Sequence, residues 1–167
     1  MIGLQLRQAR YDDPDVKCLL ENLFAHYRQQ YPGTPDGPPT PVDPLVEAAR
    51  YEPPGGTFVV AAVDRADVGC GGVRHCSAGE RTAELKRMWV EPHMRGTGVA
   101  QALLAELEGR AVALGYEAMW LDTGPRQLAA IRFYERNGYK PIPNYGRYSS
   151  HLALVSFAKQ LVTQAAR

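Results

Sequence analysis

The segment from Trp89 to Ala100 has the residue types and spacing of an anion-binding turn. A run of strand-forming residues ends at Pro92, and a short loop containing Gly96 and Gly98 then opens an amphipathic helix. The first turn of a helix has backbone amides without an internal partner, and glycine lets the backbone approach a ligand closely. Because Arg95 adds a fixed cation, the loop could hold a pyrophosphate. The alternative is an ordinary turn between a strand and a helix.

Two common nucleotide-binding loops do not fit this segment. A Walker loop requires a Gly-Lys-Ser/Thr triplet, and none follows Gly98. A Rossmann fingerprint requires a third glycine where Gln101 stands, and it belongs to the first strand of a parallel unit. The two-glycine turn therefore leaves phosphate binding and a plain turn equally open.

The elements that position this turn alternate between strand and helix patterns. Predicted strands cover Leu4 to Ala9, Thr57 to Val63, Val68 to Cys76, Thr82 to Glu91, Glu117 to Asp122, Tyr139 to Ile142 and His151 to Phe157. Predicted helices cover Asp13 to Gln30, Asp43 to Arg50, the segment from the glycine loop to Gly115, and about Pro125 to Asn137 before Gly138. Antiparallel runs followed by a strand–helix–strand crossover predict a mixed α/β sheet.

The composition is that of a soluble globular protein. The 167 residues are 45% hydrophobic and 22% charged, with a formal net charge of +1, so we expect one domain over residues 1–167. So weak a charge gives no electrostatic case for nucleic acid or an anionic membrane. The longest apolar run, Phe58 to Val63, is far shorter than the roughly 20 residues of a membrane span. The first residues lack a signal-peptide pattern, and a cytoplasmic location is expected.

Eight of the thirteen prolines lie between Pro32 and Pro54. Proline fixes φ and lacks an amide donor, so this stretch is predicted to be a stiff surface loop. Long loops in compact domains often bind ligands. The loop is therefore either a spacer or one wall of a substrate pocket.

The three cysteines do not indicate a metal site. Cys70 and Cys76 fall on one predicted strand, about 20 Å apart at the usual rise per residue, and His75 points to the face opposite Cys76. We expect reduced thiols and no bound metal.

Two blocks of the sequence resemble the GNAT superfamily of acyl-CoA-dependent N-acetyltransferases. The first block, Arg-x-x-Gly-x-Ala, consists of Arg95, Gly98 and Ala100 and follows a family-like strand from Glu84 to Pro92. The second block consists of Ala130, Phe133, Tyr134, Gly138 and Tyr139. One helix and one strand separate the blocks, as in the family. The resemblance covers about Thr57 to Lys140 and implies a mostly antiparallel central sheet flanked by helices.

The resemblance implies that acetyl-CoA is the co-substrate. The implied contacts to it are Met88, Trp89, Val90, Arg95, Gly96, Thr97, Gly98, Val99, Ala100, Gln127 and Tyr134. Gln127 departs from the family pattern, because many relatives carry Asn there. In relatives the main-chain amides of the strand bind the oxyanion and the pantetheine arm, which implies Val90 and Met88.

Membership of this family implies that an amine attacks the thioester directly and expels CoA thiolate. Freeing the lone pair of an alkylammonium at neutral pH costs about 4.6 kcal/mol, so a general base is needed. Glu84 matches a catalytic carboxylate of several relatives, or else it pairs with an Arg such as Arg74. Tyr134 matches the tyrosine that points at the sulfur and would protonate it, or else it packs beside Ile131 and Phe133.

The resemblance therefore predicts an enzyme that acetylates a primary amine. A small-molecule acceptor (an amino acid, a polyamine or a drug) is favoured over a protein amine, and relatives are often homodimers. The competing hypothesis is a non-catalytic acyl-CoA-binding or regulatory domain. Lys86 and Arg87 either meet an anionic part of a ligand or face water. Tyr145 and Tyr148 either rim the acceptor pocket or staple a hairpin.

Overall fold

The computed structural model describes residues 3–33, 43–146 and 154–161, and their strands form one seven-stranded sheet in the order β1-β2-β3-β4-β5-β7-β6. The strands are β1 (Leu4–Ala9), β2 (Thr57–Val63), β3 (Ala66–His75), β4 (Thr82–Val90), β5 (Ala118–Thr123), β6 (Lys140–Ile142) and β7 (Val155–Gln160). The helices are α1 (Pro14–Gln30), α2 (Pro44–Ala49), α3 (Val99–Ala113) and α4 (Leu128–Arg136).

The sheet is antiparallel except between β4 and β5, which run parallel on either side of the α3 crossover. This confirms the predicted mixed, mostly antiparallel α/β fold. The predicted surface loop is described only in part, since residues 34–42 lie outside the described ranges, and so do residues 151–153 of the last predicted strand.

Helices cover both faces of the sheet. On one face, α1 packs the apolar residues Val16, Leu19, Leu20 and Leu23 against Phe58, Val60, Cys70 and Trp89. On the other face, α3 packs Leu103, Leu104, Leu107 and Ala111 against Val59, Val73, Leu85 and Met119. Each buried leucine contributes about 1.5–3 kcal/mol. Among the described helices, none is long and apolar enough to cross a bilayer.

A glycine follows the end of each of the helices α3 and α4, as predicted. Gly115 follows α3 with a φ of 94°, and Gly138 follows α4 with a φ of 87°. Glycine adopts this left-handed conformation without a Cβ penalty, which is why it terminates helices.

The helix α4 begins at Leu128, three residues later than predicted. The amide of Gln127 donates to the carbonyl of Gly124 (3.0 Å), and the amide of Arg126 donates to the hydroxyl of Tyr31 (2.9 Å). These bonds hold the segment around Pro125 in a turn against the end of α1.

Candidate active site

A gap opens between the parallel strands β4 and β5. The strands pair only at their first residues, and the last pair is Glu84 with Trp120. Beyond it, β4 continues to Val90 and β5 to Thr123. The main-chain groups that face the gap are therefore available to a ligand.

A bulge in β4 accounts for this separation. Cys70 of β3 pairs with Trp89 and Gly72 pairs with Lys86, so β4 has one residue more than β3 in this stretch. Arg87 lies in the bulge with a φ of 60°. A bulge bends its strand and increases the local twist, which turns the end of β4 away from β5.

The amides of Met88 and Val90 point into the gap. The amide of the next residue, Glu91, donates to the carbonyl of Val68 beside β3 (2.8 Å). Successive residues of a strand direct their main-chain groups to opposite sides, so those of residues 88 and 90 face away from β3. The family resemblance implied these two amides, and the strand geometry gives both the required direction.

The glycine loop forms an open cradle at the start of α3. Gly96 and Gly98 have φ values of 78° and 93°, and a Cβ built on either would meet no atom within 4 Å. Gly98 is the N-cap of α3, so the amides of the first helical turn, from Val99 onward, have no partner within the helix. Apart from their chain neighbours, no described residue comes within 4 Å of a Cβ at either glycine, so this side of the loop is open.

The remaining loop residues brace this cradle. The guanidinium of Arg95 lies over the ring of Trp89 (4.9 Å), and its Nε donates to the carbonyl of Val90 (3.2 Å). The hydroxyl of Thr97 donates to the carbonyl of Met94 (2.6 Å). Val99 is buried and Ala100 half-buried, so their side chains anchor α3.

Gln127 stands beside the gap as the N-cap of α4. Its Oε1 lies 3.2 Å from Nε2 of His26 on α1, and its buried Nε2 has no hydrogen-bond partner. The side chain thus joins α1 to the segment between β5 and α4.

Tyr134 belongs to the core on the α3 face of the sheet. It is 7% exposed and packs edge-on against Phe133 and Tyr139. Burial raises the pKa of Tyr134, and Tyr27 of α1 and Asp122 of β5 raise it further. Because α1 lies on the opposite face, the phenol interacts with groups from both sides of the sheet. The phenol is protonated at neutral pH, which is the form that can donate a proton.

Four charged side chains form a row across the α1 face, which we call the charge row: Arg74, Glu84, Lys86 and Asp122. Arg74 Nε donates to Glu84 Oε2 (2.9 Å), and Lys86 Nζ lies 3.2 Å from Glu84 Oε1. Lys86 Nζ also donates to Asp122 Oδ2 (2.9 Å) and thereby bridges the gap. These side chains are only 11–18% exposed, so signs alternate along a largely enclosed surface.

Glu84 therefore has the cross-strand arginine partner that the sequence suggested as its alternative role. Burial on its own would raise the pKa of Glu84, but Lys86 and Arg74 together lower it below the ordinary value of 4.5. The hydroxyl of Tyr145 donates to Glu84 Oε1 (3.1 Å), and its ring contacts Trp120. Tyr145 thus borders the charge row, whereas Tyr148 lies outside the described residues.

Glu47 of α2 extends the charge row on the side of Arg74. Its carboxylate accepts from Arg74 Nη1 (3.2 Å) and lies 3.5 Å from Arg87 Nη2. Arg87 also places its guanidinium 5.1 Å from the ring centre of Phe24. Lys86 and Arg87 are accordingly paired inside the protein rather than simply facing water.

Sequence reasoning missed Asp122, Glu47 and the bulge. Strand alternation could have placed Lys86 and Asp122 on one face, since both follow the β4–β5 pairing by two residues. The left-handed conformation of Arg87 had no sequence signal, because glycine usually occupies such positions. The described residues include no group of three or more His, Cys, Asp or Glu that could hold a metal ion. Cys70 and Cys76 are buried free thiols, as expected.

Comparisons with known proteins agree with this geometry. The family model described as Acetyltransferase (GNAT) family matches residues 20–139. The IAA acetyltransferase of Azospirillum brasilense is 32% identical over 142 residues, which are 85% of this chain and 87% of that protein. The human N-acetylaspartate synthetase is 33% identical over 119 residues, 71% of this chain but only 39% of that protein.

A solved structure shows the same fold. The PaiA N-acetyltransferase of Thermoplasma acidophilum, in complex with coenzyme A, superposes with a TM-score of 0.69 at 17% identity, covering 95% of this chain and 99% of that one. The family model spans most of the chain, and the bacterial relative matches along nearly its whole length. The chain therefore belongs to the GNAT family of acyl-CoA-dependent N-acetyltransferases.

Proposed function

We propose that this chain transfers the acetyl group of acetyl-CoA to the primary amine of a small molecule, by direct attack of the amine on the thioester. The observation that carries the proposal is the continuity of the cradle at Gly96 and Gly98 with the gap between β4 and β5. An anion-binding helix start and a row of free strand amides are what an extended acyl carrier with a diphosphate requires.

The residues present fit acetyl-CoA. The diphosphate would lie on the amides of the first turn of α3, above Gly96 and Gly98, while the pantetheine arm would pair with the amides of Met88 and Val90 in the place that β5 leaves. The coenzyme A complex of the Thermoplasma neighbour supports this assignment. When bound, acetyl-CoA supplies an activated acyl carbon and a thiol leaving group.

Two groups of the chain would then act on the reacting atoms, and a third would hold neighbouring side chains in place. The amide of Val90 donates to the oxyanion that develops on the thioester carbonyl. The phenol of Tyr134, held neutral by its burial, donates a proton to the departing sulfur. Glu84 holds Lys86 and Tyr145 in place, because three donors already occupy its two oxygens.

The surroundings of the gap support a small, polar acceptor. The charge row offers both signs of charge on side chains that are largely enclosed, which suits a small charged amine better than an extended peptide. The names of the two relatives, IAA acetyltransferase and N-acetylaspartate synthetase, both refer to small molecules.

A thiol-release assay tests the proposal. Purified protein is incubated with acetyl-CoA and one acceptor at a time. The acceptors are L-aspartate, spermidine, 2-phenylethylamine and a lysine-containing peptide. We expect amine-dependent release of CoA thiol and an acetylated small amine in mass spectrometry. Acetyl-CoA binding without thiol release for any amine would instead indicate a non-catalytic domain, and acetylation of the peptide alone would indicate a protein acceptor.

A further inference from the structure

Asp122 lies at the edge of the gap, on the α1 face of the sheet. It lies two residues beyond Trp120, the last residue of β5 that pairs with β4. Its neighbours Leu121 and Met119 belong to the core on the α3 face, so strand alternation directs Asp122 to the α1 face. Lys86, two residues beyond Glu84, meets it from β4 with two contacts of 2.9 and 3.1 Å.

Asp122 interacts electrostatically with tyrosines from three different parts of the chain. Asp122 raises the pKa of Tyr27 on α1, of Tyr134 on α4 and of Tyr145 after β6. The first two lie on opposite sides of the sheet, so Asp122 stands where both sides meet. Asp122 is therefore close enough to interact electrostatically with the phenol proposed to protonate the sulfur.

Asp122 keeps capacity to accept a further hydrogen bond, in contrast to Glu84. A carboxylate accepts about four hydrogen bonds. Glu84 receives three different donors, from Arg74, Lys86 and Tyr145. Within the described part of the chain, Asp122 receives only the ammonium of Lys86. An incoming ammonium can therefore bind Asp122 without breaking the charge row.

We propose that Asp122 is the general base of the reaction: it binds the ammonium of the acceptor and takes one of its protons. The proposal rests on the proposed function and names a group of that same site. It assigns to β5 the role that the sequence resemblance suggested for Glu84 of β4.

The step balances in atoms and charge. Asp122 takes one proton from the ammonium, and the freed lone pair forms the C–N bond as the C–S bond breaks. The thiolate takes the proton of Tyr134, and the second proton of the nitrogen returns to the Tyr134 phenolate. Asp122 then releases its proton to water, which leaves an amide, a thiol and one proton.

Several titratable and charged groups face Asp122 and could contribute to the pH profile of kcat/KM. They are Lys86 and, through it, Glu84 on β4, Tyr27 on α1, Tyr134 on α4 and Tyr145 after β6. The three tyrosines have pKa values above the ordinary value of 10. A change of slope between pH 6 and pH 9 in the kinetics of Asp122→Asn therefore reports the ionisation of the amine rather than that of these phenols.

The variant Asp122→Asn tests the proposal with two kinds of amine. With spermidine, L-aspartate or 2-phenylethylamine, kcat/KM at pH 7 should fall by about 100-fold or more. With methoxyamine, which is unprotonated at neutral pH, the loss should stay below about tenfold, since no proton has to be removed from its nitrogen before the attack. The variant's kcat/KM for the alkylamines should also rise by about tenfold per pH unit up to pH 9, while the wild-type profile stays nearly flat.

Controls separate a proton acceptor from a structural residue. Asp67→Asn also removes a carboxylate from an ion pair, in this case the pair with Arg7 (2.7 Å). This variant should leave kcat/KM within about twofold of the wild type. The variant Asp122→Glu keeps a carboxylate and should retain at least about a tenth of the activity, with a wild-type pH profile. Calorimetry should show that Asp122→Asn binds acetyl-CoA as the wild type does.

Each contrary outcome has a distinct meaning. An equal loss with methoxyamine and the alkylamines, or an unchanged pH profile, would overturn the role of Asp122 while leaving the proposed function intact. If Glu84→Gln, and not Asp122→Asn, showed the selective loss with alkylamines and the rise of kcat/KM with pH, Glu84 would be the general base. If the wild type acetylates no amine in the panel, the proposed function itself fails.

Discussion

The side chain of Tyr134 illustrates how residue type and position combine in this site. Its place in the sequence block around Phe133 and Gly138 suggested a sulfur contact, and the structure gives it neighbours on both faces of the sheet. A core aromatic would interact with one face only. The phenol therefore interacts electrostatically with groups on both faces in addition to its packing role.

Replacing Tyr134 by Phe removes only the hydroxyl. Because the ring contacts remain, we expect the affinity for acetyl-CoA to change by less than about threefold, whereas kcat should fall by about 100-fold. Calorimetry and steady-state kinetics measure the two quantities. An unchanged kcat would remove Tyr134 from the mechanism, and a large loss of affinity would assign it to binding.

The lowered pKa of Glu84 makes part of the stability depend on pH. The folded pKa lies below the ordinary value of 4.5, so the ion pairs stabilise the fold fully above that value, and this stabilisation disappears as the pH falls through the folded pKa. We expect Glu84→Gln to lower the free energy of unfolding by about 1–3 kcal/mol at pH 7. The difference from wild type should shrink toward about pH 3.

Urea unfolding at several pH values measures this difference. Glu106→Gln is the matched control, because Glu106 pairs with Arg110 on a half-exposed helix surface and should cost less than about 0.5 kcal/mol. A constant difference for Glu84→Gln across the pH range would contradict the charge assignment.

Motif residues and the pairing of Glu84 with Arg74 could be predicted from the sequence, but the other partners in the site could not. Glycine at positions 96 and 98 and tyrosine at position 134 are recognisable from type and spacing alone. The other partners of Glu84 depend on strand register, and the left-handed conformation of Arg87 depends on the bulge. Neither register nor bulge leaves a pattern in a single sequence.

Among the elements, β4 organises the site. Its α3 face supplies Leu85 to the core, its α1 face supplies Glu84 and Lys86 to the charge row, and its free edge supplies amides to the gap. Apolar and β-branched residues predicted the first residue of each strand from β1 to β6 to within about two residues, whereas β7 begins at Val155 and not at the predicted His151. The separation of β4 from β5 was not predictable, because it results from the bulge and not from the composition of either strand.

Removal of Arg74 should reveal how strongly β3, β4 and α2 depend on one another. Arg74 is the shared partner of Glu47 and Glu84, both of them buried. Arg74→Ala leaves two buried carboxylates with fewer partners, and we expect the free energy of unfolding to fall by about 3–5 kcal/mol. Denaturant unfolding at pH 7 provides the measurement.

The control is Arg7→Ala on β1. Arg7 pairs with Asp67 at the surface, where its side chain is 42% exposed, and such a pair contributes less than about 1 kcal/mol. Equal costs for the two substitutions would show that the charge row adds no more to stability than a surface ion pair.

At the scale of the whole molecule, two faces of one sheet meet at a single opening. The α3 face carries the cradle and Tyr134, and the α1 face carries the charge row with its bridge from Lys86 to Asp122. A carrier bound along the gap would thus present its thioester between the proposed acid, Tyr134, on one side and the proposed base, Asp122, on the other. This arrangement follows from a crossover that leaves β4 and β5 adjacent but only briefly paired.

The two ends of α3 offer a matched pair of glycines for testing this arrangement. Gly98 and Gly115 have φ values of 93° and 94°, and a Cβ at either would meet no atom within 4 Å. Gly98→Leu and Gly115→Leu should therefore cost the same stability, about 1–2 kcal/mol. Only the first places a side chain in the proposed diphosphate site.

Calorimetric titration of wild type, Gly98→Leu and Gly115→Leu with acetyl-CoA is accordingly the most direct measurement. We predict that the wild type and Gly115→Leu bind with similar affinity, and that Gly98→Leu loses at least about 30-fold, or roughly 2 kcal/mol. Undiminished binding by Gly98→Leu, or no binding by the wild type, would contradict the assignment of the cradle to an acyl carrier.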